Sequence, residues 1–260
     1  MNRILLDEFH FSVADSDYER TLTAFRDGLP DSHGQFVVFF EGNLLSCCLR
    51  DEKVRNCLGE ADFIFPDGVA VAKLASWECG HPVERISGPT FLLKACDYGQ
   101  KHHWKHYFYG GTPESLTTLT AKLKKAYPEM IIAGSYSPPF RPLTPEEDAK
   151  LLREINGCKP DFLWVGLGGP KQEFWIQSHR DRLQVPFLLG VGAAFDFHSG
   201  ARPWAPAVIR KMGLEWLWRA LSGGRKTFFR NLRCVSAVSW YLLKTRLTRG
   251  RRRTEKTSGK

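Results

Sequence analysis

A Rossmann-like α/β sandwich with a mostly parallel sheet of about six strands is predicted for this chain by three observations. Six short apolar runs, rich in β-branched and aromatic residues, recur between residues 35 and 192. They are hydrophobic almost without alternation, the pattern of strands covered on both faces. Segments with helix-start signals separate most of them. Together these assign residues 1–201 to the Rossmann-like core and leave residues 202–260 as a basic helical appendage.

In chain order the predicted strands are QFVVFF (35–40), ADFIF (61–65), HYFYG (106–110), MIIAGSY (130–136), DFLWVGLG (161–168) and VPFLLGVG (185–192). Thr112-Pro113 opens a helix with a cap residue followed by proline at the first helical position. Thr144-Pro145-Glu146-Glu147 opens another and fits a capping box. No internal repeat and no low-complexity linker interrupts this order. From about residue 204 the texture changes, with Trp, Phe and Leu interleaved with arginine at helical spacing. Gly223-Gly224 divides that stretch into two predicted helices, and RRRTEKTSGK reads as a frayed end.

With 260 residues, 43% hydrophobic and 25% charged, the composition excludes wholesale disorder, collagen-like repeats and a disulfide miniprotein. The net charge of +9 is unevenly placed. Residues 1–201 carry 21 Lys+Arg against 26 Asp+Glu, a net of −5; residues 202–260 carry 16 against Glu215 and Glu255, a net of +14. The protein is not basic as a whole; its tail is. Seven cysteines, with no CxxC pair, suggest neither a disulfide framework nor a zinc site, and read as buried thiols in a reducing cytoplasm. MNRILLDEFHF meets charges too early for a secretory signal. The longest apolar candidate in the tail, CVSAVSWYLL at 234–243, is too short to span a bilayer.

Ligands of open parallel sheets sit beyond the carboxyl ends of the strands, so the strand-ending loops are the candidate chemistry. In FIFPDGVAV (63–71) Asp67 falls at a helix start, where it is either an ordinary cap or a general base. In VERISGPTFL (83–92) Arg85 offers a planar fork for a phosphate or a sugar hydroxyl; its plainer reading is a surface ion pair. Gly110-Gly111 before a helix start suits close approach of a phosphate to backbone N–H groups. In GLGGPKQEFWI (166–176), Gly168, Lys171 and Gln172 open a helix that can meet a sugar or diphosphate, or is simply an exposed first turn. The spacing is neither a dinucleotide fingerprint nor a P-loop. In GVGAAFDFHSG (190–200), Asp196 between two phenylalanines needs a partner, either a nucleobase N–H edge or a backbone or arginine group; His198 reads as structural. Asp15-Ser16-Asp17 has the DxD form of metal-dependent sugar transferases but reads as a solvated turn, so no metal is predicted.

The segments PDG, ERxxG, GG, GLGxPKQE and GVGxxFDFxxG, followed by ARPWAPAVIRKMGLEWLWRAL (201–221), resemble the WecG/TagA/CpsF family of bacterial glycosyltransferases over roughly 35–235. No single motif is decisive, but the ordered set is specific. The resemblance implies an inverting, metal-independent hexosyltransferase with a Rossmann-like core. It would move a sugar from a UDP-sugar to an undecaprenyl-diphosphate-linked saccharide during cell-surface polysaccharide synthesis. UDP-sugar is then a co-substrate, with no cofactor. The sugar implied is N-acetylmannosamine, its uronic acid or a glucose-type sugar. By similarity Asp67 is the general base, Arg85 and Gln172 belong to the active site, and Asp196 lies near the uracil. The family often carries Thr-x-Asn where this chain reads Phe39-Phe40-Glu41, which leaves donor and acceptor open.

If no metal serves the leaving diphosphate, cations and helix N-termini must, and Arg210, Arg219 and Arg225 are candidates. The tail also suits peripheral attachment to an anionic surface, which the resemblance puts on the cytoplasmic face of the membrane, with Trp216, Trp218, Phe228, Phe229, Trp240 and Tyr241 entering the interface. A homo-oligomer is compatible with the sequence. Two other classes fit parts of the sequence. A nucleic-acid-binding protein fits the basic tail but not the acidic core. A nicotinamide-dependent oxidoreductase fits the fold class but lacks the glycine fingerprint.

Overall fold

A computed structural model describes residues 1–206, 208, 209, 212, 214, 215, 217, 218 and 235–246. Arg210, Arg219, Arg225, Trp216, Phe228, Phe229, Cys234, the Gly223-Gly224 division and the terminal RRRTEKTSGK lie outside the described residues.

The six predicted strands all form, as β3 (Gln35–Phe40), β4 (Phe63–Pro66), β5 (Lys105–Gly110), β6 (Ile131–Tyr136), β7 (Phe162–Gly166) and β8 (Phe187–Gly190), after an N-terminal pair, β1 and β2. They make one sheet in the order β4-β3-β8-β7-β5-β6, with every pairing parallel. The fold is the Rossmann-like α/β arrangement expected from the runs.

The near-continuous hydrophobicity has the expected cause. Phe36, Val38 and Phe40 of β3 enter one core with Tyr107, Leu163, Val165 and Leu188. Val37 and Phe39, one residue out of step, enter the other with Phe65, Phe108, Trp164 and Leu189. Successive side chains point to opposite faces, and both faces are buried. The first core is covered by α2 (Gly42–Cys48), α3 (Glu52–Gly59), α4 (Val69–Cys79), α7 (Pro145–Cys158) and α8 (Lys171–His179). The second is covered by α1 (Tyr18–Gly28), α5 (Gly88–Gly99), α6 (Pro113–Ala126) and α9 (Ala194–Ser199). Phe25 of α1 lies in the centre of that second core, stacked on Phe187 at 4.2 Å between ring centroids. The two predicted helix starts hold: Thr112 accepts from Ser115 N–H, and Thr144 with Glu147 closes a reciprocal capping box.

The hairpin β1 (Asn2–Leu6) and β2 (Phe11–Asp15) is an addition to the expected architecture. It carries Ile4, Leu6, Phe11 and Val13 into the first core and lies beside β4. Its turn is closed by His10 in the left-handed region at φ 58°, without the Asn-Gly or Asp-Gly signal that advertises a hairpin. Asp15 therefore ends a strand rather than sitting in a free turn, Ser16 is buried, and Asp17 caps α1 by accepting from Arg20 N–H.

Among the described residues six cysteines are free; Cys48, Cys57 and Cys96 are buried as expected, whereas Cys47, Cys79 and Cys158 are only half-buried. Burial pushes the Cys48 and Cys57 thiols up to about 12, which leaves them inert. Residues 235–246 are helical and seat Val238 and Tyr241 on the first core, with Tyr241 edge-on to Phe9. Trp240 and Leu243 on the same stretch stay exposed. Among the described residues no helix is long and apolar enough to cross a membrane.

Candidate active site

The carboxyl ends of β3, β4, β7 and β8 bring their loops together, and Asp67 stands at the end of β4. It is not the helix cap its position suggests. Gly68 is the N-cap of α4, and the Asp67 carboxylate instead accepts a hydrogen bond of 3.1 Å from Gly88 N–H, the first residue of α5. Asp67 N–H donates to Phe40 O at 3.0 Å, which presses the β3 and β4 loops against each other. Burial is the main cause that pushes the Asp67 carboxyl up to about 7, and the nearby Glu41 charge adds to it. The Arg85 guanidinium and the Gly88 N–H pull the other way. A carboxylate poised near neutrality, at the mouth of a parallel sheet, is suited to take a proton.

Arg85 precedes α5 and forms an ion pair of 2.6 Å with Glu215. The ion pair foreseen as the plain reading is therefore present, but its acid comes from the C-terminal segment. Ser87 occupies the N-cap of α5 without a side-chain cap bond, and its N–H donates to the Tyr18 hydroxyl at 2.8 Å. Tyr18, Glu41 and Glu215 are neighbours of Asp67 that sequence reasoning did not place there. Only Glu41 carried a signal, as the residue standing where the family often has asparagine.

Gln172 occupies neither of its expected places. It is not an exposed first turn, nor a free side chain at the sheet mouth: it is 3% exposed and fully engaged with the protein. Its Oε1 accepts from Gly168 N–H at 3.2 Å and Gly192 N–H at 2.9 Å, and its Nε2 donates to Glu173 Oε1 at 2.8 Å. One amide thus ties the loop after β7 to the loop after β8. A Cβ on Gly190 would stand 2.8 Å from Gln172 Nε2, so β8 must end in glycine for this bracket to fit. Glu173 itself is 1% exposed, and among the described residues its Oε2 finds no hydrogen-bond partner. Burial pushes its carboxyl up to about 7, with the Glu41 charge again adding to the shift.

The remaining predicted residues are spread along the same edge. Gly110 adopts φ +125°, and a Cβ there would lie 2.5 Å from Gly166 O, so glycine is required for β5 and β7 to end side by side. Gly111 N–H donates to that same carbonyl, and Gly111 O accepts from Ser137 Oγ. Gly168 has φ +81° beside the cis Gly169–Pro170 bond. Lys171, at the start of α8, is exposed. The Asp196 carboxylate makes no hydrogen bond or ion pair among the described residues, so neither a backbone nor an arginine partner is seen there. His198 Nε2 faces Pro89 O at 2.8 Å and joins α9 to α5, as a structural histidine would. Among the described residues no group of three His, Cys, Asp or Glu is placed to hold a metal ion. A small cavity lined by Met1, Arg3, Ser12, Asp62 and Phe63 lies at the other end of β4, away from these loops.

Residues 7–252 match the glycosyl transferase WecG/TagA/CpsF family. The chain belongs to that family. Relatives include an N-acetylglucosaminyldiphosphoundecaprenol N-acetyl-beta-D-mannosaminyltransferase of Staphylococcus aureus strain NCTC 8325 / PS 47, 28% identical over 187 residues. The match covers 72% of this chain and 71% of that protein. Proteins of the same name from strains COL and MRSA252 match to the same extent. The WecG/TagA/CpsF match spans Asp67, Arg85, Gln172 and Asp196 as well as Glu215.

Proposed function

We propose that this WecG/TagA/CpsF protein is an inverting, UDP-sugar-dependent hexosyltransferase acting on an undecaprenyl-diphosphate-linked saccharide in cell-wall or cell-surface polymer synthesis. The observation that carries the reading is Asp67, held at the sheet mouth by Gly88 N–H with its carboxyl near neutrality. The relatives' name supports the lipid-linked acceptor and a mannosaminyl group as one candidate sugar. Glu41, in place of the family's usual asparagine, keeps the uronic acid and glucose-type sugars in the panel.

In this reading the acceptor hydroxyl attacks the anomeric carbon on the face opposite UDP. As the new C–O bond forms, Asp67 takes the hydroxyl proton. The bond from the anomeric carbon to the β-phosphate oxygen breaks, and its electron pair leaves with UDP. Arg85, Lys171 and the N-termini of α6 and α8 supply positive charge to the diphosphate, joined by Arg210, Arg219 and Arg225 from the tail. The work asked of a metal in other transferases then falls to these cations. Asp196 offers its carboxylate to the N–H edge of uracil. Gln172 acts through the two loops it joins.

A panel of UDP-sugars with a synthetic polyprenyl-diphosphate-linked N-acetylglucosamine acceptor tests this directly. One sugar is expected to give UDP and an acceptor heavier by one sugar residue, as read by mass spectrometry. No product from any UDP-sugar, under conditions where the protein is folded, would defeat the proposal.

The rate has a worked pH dependence. Asp67 is useful only when ionised, and its carboxyl lies near 7 rather than in the usual carboxylate range. Hence kcat/KM is expected to rise with pH up to about 7 and then level. A profile already flat from pH 5 upward would remove Asp67 as the base.

Attachment to the membrane is the second part of the proposal. Each basic residue near an anionic surface contributes on the order of 1 kcal/mol. Replacing Arg249, Arg251, Arg252 and Arg253 by serine is expected to weaken binding to phosphatidylglycerol vesicles by roughly a hundredfold or more. Binding unchanged in a flotation assay would reject the tail as the contact.

A further inference from the structure

The Arg85–Glu215 pair joins the loop before α5 to a residue 130 positions later, and both side chains are mostly withdrawn from water, at 22% and 24% exposure. A charge-assisted contact of 2.6 Å in that setting is a strong one. An arginine side chain has many rotamers, and its usefulness to a phosphate or sugar depends on where its planar fork is held. The ends of β4 and α5 bring Asp67 and the Arg85 loop together, since Asp67 bonds Gly88 N–H and Ile86 N–H donates to Pro66 O.

We propose that Glu215 is a positioning residue for Arg85: it aims the guanidinium at the mouth of the sheet. This rests on the reading of Asp67 and Arg85 as parts of the active site. A guanidinium presents five donors, and the bond to Glu215 engages Nη2. Glu215 thus lends the edge its negative charge without touching the reacting atoms. The ion pair also explains why one of only two acids in a tail of net charge +14 stands where it does.

The test is a double-mutant cycle in the full chain with the productive UDP-sugar and lipid-linked acceptor. Arg85→Ala and Glu215→Ala are each expected to lower kcat/KM at least tenfold, and the double variant to be no worse than Arg85→Ala within twofold. Glu215→Gln, which keeps the shape and an acceptor atom, is expected to fall between wild type and Glu215→Ala. It carries a signature that loss of packing alone does not produce. Asp67 is faced by Glu41 and Glu215, which hold its proton on, and by Arg85, which holds it off. Removing the Glu215 charge therefore moves the acid limb of the rate profile to lower pH. Wild-type kcat/KM and an unmoved limb in Glu215→Gln, or single effects that multiply in the double variant, overturn the positioning role. Wild-type activity in Arg85→Ala overturns it as well. Full activity in Asp67→Asn instead overturns the underlying reading, so the two failures are told apart.

Discussion

Asp67→Asn is expected to lower kcat/KM by roughly 10²–10⁴-fold, the usual worth of a general base, while UDP binding changes little. The amide is nearly isosteric and can still accept from Gly88 N–H, so the end of β4 and the start of α5 stay joined. It cannot take up the acceptor proton. The same substitution has a stability signature of opposite sign. The folded protein holds the Asp67 carboxyl up near 7, well above its unfolded value, so stability contributed at low pH is lost as pH rises through about 4 to 7. At pH 8 the buried carboxylate is ionised and costs stability, and asparagine removes that cost. The variant is therefore expected to melt no lower than wild type at pH 8 while being nearly inactive. Melting curves and initial rates on one preparation check both halves. Activity within fivefold of wild type would sink the assignment.

Gln172→Leu is expected to be the most destabilising change at the sheet mouth. It leaves the half-buried N–H groups of Gly168 and Gly192 and the buried Oε1 of Glu173 without their partner. Each orphaned group costs about 1–3 kcal/mol when fully buried; with Gly168 and Gly192 only half-buried, the total falls at the low end, on the order of 3 kcal/mol. In a chain of this size that corresponds to a fall in Tm of roughly 10 °C. Lys171→Ala, one residue earlier but exposed, should change stability by no more than about 0.5 kcal/mol. Differential scanning fluorimetry of the pair separates the bracket from a general sensitivity of α8. A Tm within about 2 °C of wild type in Gln172→Leu would show that the amide holds nothing.

Two residues show where sequence reading reached and where it stopped. Asp67 was placed at the right loop, because an apolar run followed by Pro-Asp-Gly marks the end of a strand. Its partner was not, since the Gly88 N–H comes from an element reached only after α4. Gln172 was likewise placed at a strand-ending loop, but its side chain was expected outward. The inward turn depends on Gly190 leaving room on the neighbouring strand and on Gly192 offering its N–H. The hairpin β1–β2 went unread for a more local reason. Its burial alternates, with Ile4 and Leu6 inside and Leu5 outside, but its turn uses a 3₁₀ step and a left-handed histidine.

Six strands, the burial of five of them on both faces (the edge strand β6 is only half-buried), two helix caps and the concentration of basic charge after residue 201 are local properties, written in runs of consecutive residues. Periodicity and composition act over a few residues, so they are legible without a fold. The family resemblance is also linear, because it rests on ordered segments. Which acid faces which base is not. Glu41 reaches Asp67 from the loop after β3, Gln172 joins two loops, and Glu215 meets Arg85 across 130 residues. Those pairings arise only when the sheet order sets the loops side by side, and the carboxyls of Asp67 and Glu173 come near neutrality chiefly because burial removes water from around their charges.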